Sequence, residues 1–237
     1  MSKSYGRDII KSVQILYDEI GSNFSRTRQK TYGNGESSNW PVTDKYLARL
    51  KAGDNVLDIG CGNGKLVSGL PTNVGYVGTD FSRTLLVEAK KLYPAHDFRY
   101  GDVANSAHWA KLRQYDAIFC VAVLHHLPEK KQQLYVLKEA KKHLKEGGFL
   151  YLTVWNLWQK KFLQHHLDSA ELKKTNEKWV EIPYNKDWKR FCVAFDIQTL
   201  SDLMNESGWI IEELLYADKA GNKADIMTGQ NLVCVAT

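Results

Sequence analysis

Val56-Leu57-Asp58-Ile59-Gly60-Cys61-Gly62-Asn63-Gly64-Lys65 is the stretch on which the fold turns. Apolar and β-branched residues lead through an acid into glycines at alternate positions. That is the pattern of a buried strand that ends in a tight loop and opens a helix. With no Cβ at Gly60, Gly62 or Gly64, the loop backbone can come into van der Waals contact with a ligand. The spacing is GxGxG. A nicotinamide enzyme normally carries GxGxxG to seat a pyrophosphate, and these glycines leave no such triplet.

Outward from the loop, the chain alternates strand and helix. Asn55–Ile59 reads as the first strand, with a helix over 63–70 after it. Further strands are predicted at Gly75–Asp80, Asp97–Tyr100, 115–123 and 149–155, and 115–123 is apolar enough to be central and buried on both faces. Ser82 caps a helix that runs to about residue 93, where Pro94 stops it. Short helices are predicted at 43–50 and 107–113, and a long one opened by Pro128 is expected to end at Gly147-Gly148. Near the N-terminus, Ile9, Val13, Leu16, Tyr17 and Ile20 recur at helical spacing over 8–20, with Gly21 as a natural stop. Residues 31–38 read as a polar loop.

After residue 155 the alternation breaks. Residues 156–190 are polar and rich in lysine and tryptophan, and read as an inserted helix and loop. A helix at 197–207 and strands at 209–216 and 231–237 close the chain. The pattern predicts an α/β fold: a doubly wound, mostly parallel seven-stranded sheet with an antiparallel C-terminal hairpin and one reversed edge strand. One domain is expected over 1–237, with an N-terminal lid segment at 8–42 and a substrate-side insertion at 156–190.

Composition bounds the function. At 237 residues and 43% hydrophobic, the chain can bury one large α/β core. A net charge of +5 permits a nucleic-acid partner without requiring one. Cys61, Cys120, Cys192 and Cys234 are scattered with no CxxC pair, so they read as reduced packing thiols, and no metal is expected. No window approaches the roughly 18 apolar residues of a membrane helix, and the charged N-terminus has no signal-peptide core. A soluble cytoplasmic protein is the expectation.

Asp58 followed by GxGxG resembles the cofactor loop of the class I S-adenosylmethionine-dependent methyltransferases. In such sheets ligands bind beyond the carboxyl ends of the strands, where strand order reverses. The resemblance implies that Asp58, Gly60, Cys61, Gly62, Asn63 and Gly64 face the amino-acid part of the cofactor. Asp80, lying 22 residues beyond Asp58, would accept from the ribose hydroxyls beside Phe81. Asp102 and Val103 would meet the adenine, and Cys120 to Leu124 the sulfonium side.

Further motifs narrow the likeness. They are Tyr17-Asp18-Glu19-Ile20, Phe24-Ser25-Arg26-Thr27-Arg28, Val121-Ala122-Val123-Leu124-His125-His126 and Leu152-Thr153-Val154-Trp155. Together these resemble the tRNA wobble-uridine carboxymethyl methyltransferases, which esterify 5-carboxymethyluridine at anticodon position 34. In animals the same domain occurs fused to an AlkB-like hydroxylase. The likeness covers most of the chain. It implies that Arg28, with Arg26 as second choice, forks onto the acceptor carboxylate. His125 or His126 would hydrogen-bond the acceptor, and Tyr17, Trp155, Lys160, Lys161 and Arg190 would meet the substrate. Lysines of the insertion can track phosphates while its tryptophans stack on bases of an opened tRNA anticodon loop. A solvated helix covering the cleft accounts for the same residues. Several members of the family use a small zinc-binding activator subunit. The chain departs from the family in placing residues 29–39 ahead of Trp40-Pro41, and in having Asn231-Leu232 for a C-terminal Asn-Trp element.

A carboxylate acceptor is already ionised at pH 7 and needs orientation and removal from water rather than a base. A hydroxyl or amine acceptor would make one histidine the general base. Two other readings therefore stay open: a methyltransferase of a small-molecule carboxylate or hydroxyl, and a non-catalytic S-adenosylmethionine-binding subunit.

Overall fold

Val56 and Leu57 are both fully buried, but in different apolar clusters on the two faces of one sheet. This is the alternation that a strand covered on both sides requires. The computed structural model describes residues 5–28, 37–160, 162, 179–186 and 188–237. In chain order the strands are β1 (Asn55–Ile59), β2 (Gly75–Asp80), β3 (Asp97–Tyr100), β4 (Tyr115–Val121) and β5 (Leu144–Trp155). They continue with β6 (Trp179–Pro183), β7 (Lys189–Val193), β8 (Ile211–Ala217), β9 (Lys223–Ala224) and β10 (Asn231–Ala236). The main sheet runs β3-β2-β1-β4-β5-β10-β8-β9. Strands β1 to β5 are parallel, and β10 is antiparallel to both β5 and β8.

The expected α/β sheet is therefore present, with two differences at its far side. Two strands are reversed: β10 lies inside the sheet, because β8 pairs along its outer side, and β9, antiparallel to β8, forms the edge. An eighth strand, the two-residue β9, extends the seven expected.

The helices are α1 (Tyr5–Arg28), α2 (Pro41–Leu47), α3 (Arg83–Leu92), α4 (Ser106–Trp109), α5 (Lys130–Lys142) and α6 (Ile197–Glu206). Gly21 does not end the first helix, which runs on to Arg28. A Cβ at Gly21 would come within 2.8 Å of Thr84 Cγ2, so glycine there lets α1 press against the start of α3. Asp18 completes that contact, accepting from Ser82 Oγ at 2.8 Å and from the Thr84 amide at 3.3 Å. A carboxylate at a helix N-terminus is favoured by the exposed amides there. Ser82 itself caps α3, as the sequence predicts, by accepting from the Leu85 amide.

Other expected boundaries move for local reasons. Instead of a helix over 63–70, a 3-10 turn spans Lys65–Gly69. The Leu66 carbonyl accepts from Asn39 Nδ2, and Ser68 Oγ bonds its own turn and Ser38, so these groups are engaged outside an α-helical ladder. The long helix α5 stops at Lys142, before the glycines, because Leu144 already pairs with Tyr115. Gly147, at φ +74°, then sits in an irregular stretch within β5 before pairing resumes at Phe149. Strand β4 ends at Val121 because Ala122 turns into the left-handed region at φ +59°. Part of the expected helix and loop at 156–190 is the hairpin of β6 and β7, packed on a small core of Leu157, Ile182, Cys192 and Ala194. No helix among the described residues is long and apolar enough to cross a membrane.

Candidate active site

The carboxyl ends of β1 to β5 open into a cavity of about 770 Å³. The glycine loop forms its floor. Gly60 and Cys61 donate their amides to the Thr79 carbonyl at 2.7 and 3.0 Å, which pins the loop against β2. Gly60, Gly62 and Gly64 all have positive φ, at 68, 56 and 75°. A Cβ on Gly60 would collide with Val123, whereas one on Gly62 would meet nothing within 4 Å. The space above Gly62 is the kind that a ligand lying on bare backbone requires.

Buried carboxylates flank the loop. Asp80 Oδ2 accepts the Gly62 amide and Oδ1 the Ser82 amide, each at 2.8 Å. Burial nevertheless raises its pKa to about 6. Asp58 Oδ2 accepts from the Tyr76 hydroxyl at 2.8 Å, and burial pushes its carboxyl up to about 7. Asp102 bends its own turn by accepting from the Ala104 amide at 2.9 Å. Across the loop, Asn63 Nδ2 donates to the buried Ser25 Oγ at 3.1 Å, tying the loop to α1.

Of the residues expected at a cofactor, Asp58, Gly60, Cys61, Gly62 and Asn63 line the cavity. So do Asp80, Phe81, Asp102, Val103 and Val121. Three do not. Gly64 turns away and packs where a Cβ would strike Phe98, and Cys120 and Leu124 are buried in the main core.

The expected acceptor residues divide similarly. Tyr17, His126, Trp155 and Arg190 line the cavity. His126 Nδ1–H donates to the Phe191 carbonyl at 2.8 Å, which leaves Nε2 to accept from the Tyr17 hydroxyl at 3.1 Å. Burial lowers its pKa to about 4, so the ring is neutral. His125 lies behind this surface, fully buried and stacked 4.9 Å from the Trp155 ring, with its pKa also lowered by burial. Arg26 is directed to Asn23 Oδ1 at 2.8 Å and does not line the cavity. Lys160 is exposed outside the lining. The Arg28 side chain and Lys161 lie outside the described residues.

Several lining residues escaped the sequence reading. Val13 was visible only as part of an apolar stripe, and that stripe of α1 faces the cavity as well as the core. Trp40 lines it too, and its Nε1 donates to the Asp218 carbonyl at 2.9 Å, a partner distant in sequence. Thr153 faces the cavity as well, its Oγ1 accepting the amide of Ala122, which was expected there, at 3.1 Å.

Residues 36–214 match the methyltransferase domain family, and the chain belongs to it. Its fold is that of S-adenosylmethionine-dependent methyltransferases. The DhpI-SAM-HEP complex superposes with a TM-score of 0.66 at 18% identity, over 100% of both chains. The methyltransferase in complex with the Haloferax volcanii Trm112 methyltransferase activator gives 0.65 at 15% identity, over 93% of this chain and 96% of that one. Among curated relatives, the tRNA (carboxymethyluridine(34)-5-O)-methyltransferase of Schizosaccharomyces pombe is 34% identical over 148 residues, covering 62% of this chain and 59% of the relative. Its Saccharomyces cerevisiae counterpart is 29% identical over 147 residues, covering 62% and 49%. The chain spans about half the length of these relatives.

Proposed function

We propose that this chain is an S-adenosylmethionine-dependent methyltransferase that esterifies the carboxylate of 5-carboxymethyluridine, or a related acidic uridine, at tRNA position 34. One observation carries the reading: a single cavity joins the glycine loop and Asp80 to Tyr17, His126 and Trp155. The residues fit the cofactor. Open space over the Gly62 backbone suits the methionine part, and the buried Asp80 and Asp58 suit hydroxyl and ammonium donors. When bound, S-adenosylmethionine supplies a sulfonium methyl: an acceptor carboxylate oxygen forms the new C–O bond as C–S breaks, the electron pair returns to sulfur, and no proton moves.

The protein's part is binding, orientation and exclusion of water. His126 is held neutral with both nitrogens engaged, which suits a positioning role rather than that of a base. The aromatic wall of Tyr17 and Trp155 offers a stacking surface for the uracil ring. Lys160 and Lys161, with Lys173, Lys174 and Lys178 further along the insertion, are the proposed phosphate contacts. A small zinc-binding activator is the proposed partner, supported by the activator-bound structural neighbour. The outer strand β3 ends the sheet, and Tyr100 on it is 48% exposed, which leaves room for an added strand. Four free buried cysteines accord with a cytoplasmic location.

Incubation of the protein with methyl-labelled cofactor and total tRNA, with and without an activator subunit, tests the reading. Label released from tRNA by mild base supports it; label that survives base, or remains after ribonuclease removes the tRNA, rejects it.

A further inference from the structure

Arg190 stands opposite Ile182 in the hairpin and lays its guanidinium over the Trp155 ring, 4.6 Å from the centroid, with the Tyr184 ring at 5.3 Å. It lines the cavity but forms no ion pair among the described residues. Its Nε is shut off from solvent without a hydrogen-bond acceptor among the described residues. A guanidinium whose face is stacked keeps its edge available for a forked contact, and a buried N–H without an acceptor is costly until one arrives.

Among the described residues no carboxylate pairs with it. His126 is committed to Phe191 and Tyr17, and burial, together with the Arg190 charge, keeps that ring unprotonated. The cavity's carboxylates, Asp58, Asp80 and Asp102, come from the ends of β1, β2 and β3. Arg190 reaches in from the other side, against Trp155 at the end of β5. The division between the two ends falls between β1 and β4, where the strand order reverses. One end accepts from hydroxyls and cations; the other offers donors to an anion.

We propose that the corner formed by Arg190, Trp155 and Tyr184 is the subsite for the acceptor's carboxylate, and that it selects an acid over its neutral amide. This rests on the methyltransferase reading of the cavity. The guanidinium forks onto the carboxylate and presents one oxygen to the methyl group. Esterification removes the negative charge, so the same contact that gathers the substrate weakens for the product.

Calorimetry on the full chain saturated with S-adenosylhomocysteine tests the subsite without turnover, using 5-carboxymethyluridine, 5-carbamoylmethyluridine and acetate as probes. The wild type is expected to bind the acid at least about tenfold more tightly than the amide. Arg190→Gln is expected to bring the two within about twofold with S-adenosylhomocysteine affinity unchanged, and Arg190→Lys to retain part of the preference. Acid preference that survives Arg190→Gln overturns the proposal and leaves the uridine reading standing, with another cation such as Arg28 in the role. Loss of S-adenosylhomocysteine affinity in Arg190→Gln also overturns it, by placing Arg190 on the cofactor's own carboxylate. So does equal binding of acid and amide to the wild type. Acetate binding that Arg190→Gln abolishes, with neither nucleoside bound, supports the subsite and rejects the uridine reading.

Discussion

Asp80 receives the Gly62 amide on one carboxylate oxygen at 2.8 Å, while its other oxygen receives the Ser82 amide at the start of α3. One side chain thus holds the glycine loop and the adjacent helix together at the floor of the cavity. Asp80→Asn keeps a single acceptor and turns an NH2 group toward an amide N–H. A loss of about 1–3 kcal/mol in unfolding free energy is expected, with cofactor affinity reduced at least tenfold. Denaturant titration and calorimetry measure the two effects. Unchanged values in both would show that the bridge holds nothing in place.

The carboxyls of Asp58 and Asp80, raised to about 7 and about 6, give the site a pH dependence. Their ionised forms accept from hydroxyl and ammonium groups, so cofactor affinity is expected to rise from pH 5 to about 7 and then level off. In the ligand-free protein the sign is opposite. Each carboxyl holds its proton more tightly folded than unfolded, so its contribution to stability is full below about pH 4 and is lost as pH rises through 6 to 7. Thermal melts of the wild type and Asp58→Asn across this range provide the comparison. The variant should gain relative stability toward pH 8, and a constant difference between the two would contradict the assignment.

Gly60 and Gly62 separate a folding role from a binding role. Both have positive φ, but only Gly60 is packed against a side chain, that of Val123. Gly60→Ala is expected to destabilise the fold beyond the roughly 1–2 kcal/mol of left-handed strain. Gly62→Ala should incur about that strain alone and yet bind the cofactor poorly, because its methyl group enters the ligand's space. Circular dichroism melts paired with cofactor titration distinguish the two. Tight binding by Gly62→Ala would mean the ligand does not lie over the loop.

Gly21 offers a test of how α1 is mounted. The 2.8 Å approach that a Cβ would make to Thr84 Cγ2 predicts a loss of about 1–3 kcal/mol in Gly21→Ala. Thr84→Ser in the same chain deletes the obstructing methyl and should restore most of it. Equal destabilisation of the single and double variants would locate the strain elsewhere.

The floor of the site was legible because strand alternation and glycine spacing are local signals. Val56 to Gly62 and Asp80 each follow from a few neighbouring residues. What stayed hidden depends on distant contacts. Gly21 reads as a helix stop until Thr84 is beside it, and Gly147 reads as one until Tyr115 pairs with Leu144. The hairpin at β6 and β7 has little periodicity of its own, because its small core is shared with Leu157. The two histidines look equivalent in sequence. Only the packing of Trp155 against one and the approach of Tyr17 to the other place His125 behind the cavity wall and His126 on it.

Nucleoside mass spectrometry of tRNA bearing 5-carboxymethyluridine, after incubation with the protein and S-adenosylmethionine, tests the central claim most directly. Conversion of that nucleoside at position 34 to its methyl ester, reversed by mild base, is the result expected. Methylation at another position or on a ring or sugar atom, with the carboxymethyl group untouched, would contradict it.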